Sequence, residues 1–155
     1  MLILAFKTLH ILSAVLFLGA GLMSAYYKTR ADRCGDLRVV AWYQQEIVRA
    51  DWLFTVPAVT LLPLTGGWLV LKYELPWSTS WVRWGLTGYV VTTLLWAPAA
   101  WLQIRMRALA SDALKRGTEL SAEFHRMNRV WFLLGLPAFV GAIFTMWVMV
   151  TKATY

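Results

Sequence analysis

The sequence is poor in the residue types on which many functional sites are built. Its 155 residues include one cysteine, two histidines and eight acidic residues, against fifteen Lys and Arg. With Cys34 as the only cysteine, an intrachain disulfide is excluded, and no Cys/His spacing resembles a zinc site. No glycine-rich nucleotide loop is present either. The sequence therefore excludes a secreted disulfide scaffold and a zinc-dependent fold, and it offers no soluble cofactor site.

Apolar residues dominate what is there. Hydrophobic residues make up 59% of the chain, ten residues are tryptophan, and the mean hydropathy is +0.56. A water-soluble domain of this size could not bury so much apolar surface, and the composition also excludes intrinsic disorder. The net charge of +7 comes from basic residues clustered between long apolar runs, which is a membrane pattern and not a nucleic-acid surface. We therefore expect a membrane protein that contacts the lipid bilayer.

Four apolar runs are long enough to cross a hydrocarbon layer of about 30 Å as helices rising about 1.5 Å per residue. We predict an all-α polytopic membrane four-helix bundle that forms a single transmembrane domain over residues 1–155. No basic segment precedes the first run and basic residues follow it, so we expect this run to stay in the mature protein. The predicted spans cover residues 3–27, 52–71, 81–104 and 130–151.

The distribution of basic residues predicts the orientation. Eleven of the fifteen Lys and Arg lie in two loops, 28–51 and 105–129, and such loops stay on the cytoplasmic side. We expect both termini on the outside of a bacterial cytoplasmic (inner) membrane. Tryptophans mark the same boundaries, because their rings favour the interface. Those expected at the inner boundary are Trp42, Trp52, Trp101 and Trp131, and those at the outer one are Trp68, Trp77, Trp81, Trp84 and Trp147.

Both loops have the apolar spacing of helices, and Gly117 followed by Ser121 and Glu123 indicates a helix that ends and restarts. Prolines 57, 63, 98 and 137 lie inside spans and indicate kinks.

A shift of 80 residues aligns the second span with the fourth, which favours two duplicated helical hairpins; composition bias is the alternative explanation. The matched pairs are Arg49/Arg129, Leu53/Leu133, Pro57/Pro137, Ala58/Ala138, Thr65/Thr145, Val70/Val150 and Lys72/Lys152.

His10 is the leading candidate site residue, because polar groups at membrane depth are costly and mark chemistry. Its imidazole could ligate haem iron or another metal, shuttle protons, or hydrogen-bond across the bundle. Lys7 lies one turn away and, with Arg83 and Lys152, could form a positive mouth for an anionic group such as a propionate. Each of these cations is equally explained as a span terminus whose side chain extends to the headgroups. Thr65 of the second span is a further candidate pocket residue.

Two other polar residues are less promising. Asp51 begins the second span, where we expect a helix N-terminal charge or an ion pair with Arg105 or Arg107. His125 belongs to the predicted inner loop, more than about 20 Å from His10 in depth. Two histidines of one chain are therefore not expected to hold the same iron.

The first span contains three short runs: residues 7–11 (Lys-Thr-Leu-His-Ile), 17–22 (Phe-Leu-Gly-Ala-Gly-Leu) and 26–28 (Tyr-Tyr-Lys). Together they resemble the first helix of the HemJ-type protoporphyrinogen oxidases and of the CopD-like copper-resistance membrane proteins. Nearly the whole chain is similar to a bacterial family of four-helix integral membrane proteins of unknown function. The residues that carry this second resemblance are Ala50-Asp51-Trp52, Thr55, Pro57-Ala58, Thr65-Gly66, Trp96-Ala97-Pro98, residues 103–107 and 135–139, Met149-Val150 and Lys152.

The HemJ resemblance implies a function. In those proteins the histidine of the Lys-x-Leu-His motif binds b-type haem, and this implicates His10 alone, as metal ligand. Lys7, Arg83, Thr65 and Lys152 are predicted as further cofactor-binding residues apart from this resemblance. The chain lacks the polar Arg-x-x-Asn-Glu-x-Pro segment of HemJ, and it has Lys-Ala at residues 152–153 where HemJ ends in Lys-Pro. The expected function is a haem-b-associated redox protein and, if an enzyme, a HemJ-like membrane oxidoreductase. The alternative is a non-enzymatic accessory subunit or transport or assembly factor, copper-related or not, within a homo-oligomer or larger membrane complex.

Overall fold

The computed structural model describes residues 1–152, which form four continuous helices joined by short turns. The second helix contains one π-helical turn, and we number its two α-helical parts separately. The elements are α1 (Leu2–Arg33), α2 (Leu37–Ala50), the π turn (Asp51–Thr55), α3 (Val56–Lys72), α4 (Ser80–Arg116) and α5 (Ala122–Thr151). The expected all-α helical bundle is confirmed.

Successive helices run antiparallel. Phe6 near the start of α1 stacks on Trp68 near the end of α3, with ring centroids 4.0 Å apart. Met149 near the end of α5 lies against Gly85 near the start of α4. The start of α1 and the end of α5 therefore lie at one end of the bundle, here called the His10 end. The opposite end, where α1 meets α2 and α4 meets α5, is called the Lys28 end.

Three helices are long and apolar enough to cross a membrane: Leu2–Arg33, Leu37–Lys72 and Ala122–Thr151. Helix α4 has 37 residues, or about 55 Å at 1.5 Å per residue, but it is not among those three. Its threonines, tryptophans and Arg83 make it less apolar. Large side chains such as Leu94 and Leu133, 69% and 73% exposed, cover the outside of the bundle, as expected for a surface that faces lipid.

Helical structure continues through most of the two predicted loops. Helix α1 extends to Arg33 and α4 to Arg116, well past the predicted ends of their spans. Helix α4 then ends at Gly117, whose φ of +66° is the left-handed conformation that glycine adopts without strain. The hydroxyl of Ser121 accepts a hydrogen bond from the backbone N–H of Phe124 and begins α5. The helix break predicted from these residues is confirmed.

The π turn lies immediately before Pro57. Proline has no N–H to donate to the carbonyl four residues earlier, and its ring crowds that carbonyl. In the turn, the N–H of Val56 donates to the carbonyl of Asp51, five residues back. The wider turn gives space near the proline while the chain stays helical.

A packed core fills the Lys28 end. It includes Met106 and Ala110 of α4, both fully buried, together with Phe124 and Trp131 of α5 and apolar residues of α2. Trp131 is only 6% exposed, so its ring contacts protein and not lipid, and its position at the inner membrane boundary stays a prediction. Its indole packs inside the bundle, because α5 turns this face toward α1.

Small residues bring α4 and α5 together. A side chain at Gly88 would overlap the side chain of Thr145, and one at Gly141 would lie 3.1 Å from the Thr92 hydroxyl. Helices in lipid depend on such close packing, because the hydrophobic effect does not drive them together there.

Substituting Gly88→Ala should therefore destabilise the bundle by about 1–3 kcal/mol, the usual range for overpacking. Thr145 is β-branched and cannot move aside easily. Gly135→Ala is the matched control, since nothing lies within 4 Å of its added Cβ. The measurement is the unfolding midpoint of each purified variant in detergent. Equal unfolding midpoints for the two variants would contradict this account of the α4–α5 contact.

Candidate functional site

His10 meets α3 at the middle of the α1–α3 contact. Its Nδ1 lies 2.9 Å from the Oγ1 of Thr65. Thr65 is buried, and its hydroxyl also lies 2.6 Å from the backbone carbonyl of Leu61. Two of the five predicted cofactor-binding residues are thus in direct contact.

This contact favours one tautomer of the imidazole. When the Thr65 hydroxyl donates to the Leu61 carbonyl, its oxygen can only accept from His10, and Nδ1 is then the donor. In the neutral ring, Nε2 then carries the lone pair. The Leu62 carbonyl also faces this imidazole. Metal-binding histidines commonly have this arrangement, in which one nitrogen donates to the protein and the other is left as ligand.

Gly66 makes room for the ring. A Cβ built on Gly66 would lie 2.9 Å from Cε1 of His10, closer than side chains normally approach. The pair Thr65-Gly66 thus provides both a hydrogen-bond acceptor and the space for the imidazole. His10 is half-buried, with one edge against α3.

The three predicted cations are arranged differently. Lys7, Arg83 and Lys152 are all exposed, and none has a described contact with His10. They belong to three different helix ends at the His10 end of the bundle. The structure therefore brings together His10 and Thr65, while the basic residues extend into the surroundings.

His10 lines neither of two grooves that the described residues form. One lies between α1 and α2, and the other is lined by Asp51, Trp52, Trp96 and Trp101 among others. The cofactor pocket predicted at His10 and Thr65 coincides with neither. Tight packing of α1 on α3 explains this, because Gly66 allows the two backbones to close on the ring.

Lys28 is the functional candidate that the sequence analysis missed. It was counted as a loop charge, yet its side chain is fully buried inside the bundle. The ammonium lies 3.7 Å from the carboxylate of Asp32, one turn along α1, and 5.5 and 5.7 Å from the ring centroids of Phe124 and Trp131. In the sequence, the spacing of Lys28 and Asp32, four residues apart at the end of an apolar helix, could have indicated this ion pair.

Asn128 of α5 completes this polar cluster. Its amide donates to Oδ2 of Asp32 at 2.8 Å and so joins two helices 96 residues apart in sequence. Within residues 1–152, the Nζ of Lys28, Oδ1 of Asp32 and Oδ1 of Asn128 have no hydrogen-bond partner, and neither amide atom of the fully buried Gln44 has one. Buried groups of this kind normally bond to water or a ligand.

Asp51 also differs from its prediction. Its carboxylate accepts a hydrogen bond from Thr55 at 2.8 Å, and the Gln103 amide approaches the same group. Among the ion pairs of residues 1–152, Arg105 instead pairs with Glu123. His125 is exposed near the start of α5, at the Lys28 end. The described part of the chain contains no group of three or more His, Cys, Asp or Glu side chains that could hold a metal ion.

A family described as "Predicted integral membrane protein (DUF2269)" matches residues 4–153, nearly the full length of the chain. No curated protein and no solved structure matches.

The Lys28 cluster makes a prediction about stability. Asp32→Ala should lower the free energy of unfolding by about 2–3 kcal/mol, because it leaves a buried ammonium without its counter-charge. Lys28→Met added to Asp32→Ala should restore most of this loss by removing the unpaired charge. The control is Asp112→Ala, which breaks an exposed pair with Arg116 and should cost less than about 1 kcal/mol.

Unfolding midpoints in detergent test this prediction. A double variant that is no more stable than Asp32→Ala alone would contradict the view that the uncompensated lysine is the cause.

Proposed function

This chain belongs to the integral membrane protein family DUF2269, and from that premise we propose that it is a haem-b-associated redox protein of a bacterial cytoplasmic membrane. In this proposal His10 is the axial ligand of the haem iron. The observation that carries it is the 2.9 Å contact between Nδ1 of His10 and the Thr65 hydroxyl; with Nδ1 as the donor, Nε2 is the nitrogen with a lone pair.

The donor chemistry fits an axial ligand. A ligating imidazole must be neutral at one nitrogen and held in orientation through the other. Thr65 provides that second interaction, and the absence of a side chain at Gly66 gives the ring its position. Within residues 1–152, His10 is the one such donor at this site, so in this proposal a second axial ligand would come from another molecule or subunit.

The exposed cations supply the remaining part of the proposal. Lys7, Arg83 and Lys152 belong to the His10 end and remain accessible, which supports a role in binding the propionates. When bound, haem supplies one-electron chemistry, while protein residues set its orientation and potential. If the protein is an enzyme, its class is a HemJ-like membrane oxidoreductase.

We extend the proposal to the membrane topology. In this proposal helix α4 also crosses the membrane, as the third of four spans along the chain, with its polar residues turned toward α5, as the contacts of Gly88 and Thr92 with that helix support. Both termini then lie outside, and the basic Lys28 end lies in the cytoplasm.

The rival function is a non-enzymatic accessory subunit or assembly factor. It is favoured by the close packing of the imidazole against Gly66, which makes the His10–Thr65 bond a helix–helix contact. Hydrogen bonds between membrane helices contribute about 0.6 kcal/mol on average. A transient copper contact at His10 belongs to the same class of function.

An absorption spectrum of the purified protein, oxidised and reduced, distinguishes the two functions. We expect a Soret band when the protein is produced with added haem precursor. His10→Ala should abolish the band while helix content stays unchanged, and Thr65→Val should retain haem but shift the reduced spectrum, because the ligand loses its Nδ1 partner. The matched control His125→Ala should give the native spectrum.

Absence of a Soret band from the native protein, or an unchanged band in His10→Ala, would refute the haem proposal. If His10→Ala instead lowers the unfolding midpoint and no spectrum is affected, the accessory function is supported.

A further inference from the structure

A groove runs along the outside of the bundle between α1 and α2, with a volume of about 830 Å³. Its walls are almost entirely apolar. The α1 wall includes Val15, Gly19 and Met23, and the opposite wall includes Ile47 and Phe54. No part of the His10 site lines it.

The groove has a structural cause. Gly19 has no side chain, and nothing lies within 4 Å of the Cβ that it lacks. The α1 surface is therefore recessed where α2 passes over it. Because the groove opens toward the membrane, water does not fill its apolar interior, and an unfilled volume of this size would forfeit the packing on which helices in lipid depend. An acyl chain or another helix must occupy it.

The positive charge of Arg30, at the edge of the groove, indicates which kind of molecule binds there. Arg30 and Glu46 both line the groove. Glu46 is already paired with Arg49, whereas Arg30 has no acidic partner among residues 1–152. The groove therefore presents one uncompensated cation. Tyr27 and Trp42 line it as well, and such rings favour the headgroup level.

The dimensions agree with a single lipid leaflet. From Val15 to Arg30, α1 rises about 22 Å at 1.5 Å per residue. Half of a bilayer, including its headgroup region, is about 20–22 Å thick. The apolar part of the groove then lies at acyl-chain depth when Arg30 lies among the phosphates.

We propose that this groove is a binding site for one anionic phospholipid, with an acyl chain between Gly19 and Ile47 and its phosphate against Arg30. A helix from a second copy would fill the apolar part but would leave the Arg30 charge uncompensated. The inference does not depend on haem binding at His10.

Native mass spectrometry of the purified, delipidated protein tests the site. Equal amounts of phosphatidylglycerol and phosphatidylethanolamine are added, and the lipids retained per protein are counted. We expect one phosphatidylglycerol per chain, retained several-fold more than phosphatidylethanolamine. Arg30→Gln should lower phosphatidylglycerol retention about five-fold, the usual effect of one basic residue near an anionic headgroup.

Two further variants complete the test. Arg33→Gln is the matched control, because Arg33 is exposed on the same helix but does not line the groove, and it should retain lipid normally. Gly19→Phe fills the groove and should remove both lipids. If this variant does not fold, the difference in phosphatidylglycerol retention between Arg30→Gln and Arg33→Gln still tests the proposal.

Three outcomes would overturn the proposal: equal retention of the two lipids, unchanged retention in Arg30→Gln, or a lipid-free dimer that dissociates in Gly19→Phe. The last outcome would assign the groove to a second copy of the chain.

Discussion

The inability of hydrocarbon to form hydrogen bonds governs this structure. Every polar group at membrane depth must find its partner within the protein. The backbone does so by remaining helical, and the helices continue into the segments that we predicted as loops. Hydroxyl side chains do so locally, by donating to the carbonyl four residues earlier. These residues are Ser13, Thr29, Thr60, Thr65, Thr145 and Thr151. The same requirement makes the few unsatisfied polar atoms informative, since an unpaired group in this medium needs an explanation.

The helical architecture could be predicted because apolar run length, Gly117 and Ser121 are local signals. Side-chain partners were harder, because they depend on how each helix is rotated. Thr65 was named as a site residue, but no local pattern could show that its hydroxyl faces Nδ1 of His10, 55 residues away. Lys28 shows the same limit. Its charge indicated a cytoplasmic loop, while the rings of Phe124 and Trp131, far along the chain, determine that it is buried.

The two hairpins use equivalent positions in different ways. Thr65 and Thr145, which the 80-residue shift aligns, each face the antiparallel neighbour helix. Thr65 faces the imidazole of His10, whereas Thr145 faces Gly88. The first hairpin thus contains a polar group where the second contains only close backbone packing. If the halves arose by duplication, they diverged at this contact, and only the first half contains the imidazole on which our haem proposal rests.

The π turn before Pro57 also fixes which way the following helix faces. One residue of an α-helix corresponds to a rotation of about 100°, and the π turn takes up one residue more than an α-helical turn. If the same residues were α-helical throughout, the helix would have equal hydropathy, but Leu64 or Gly66 would face α1 in place of the threonine. The π turn, some ten residues before Thr65, thus determines which side chain of α3 faces His10.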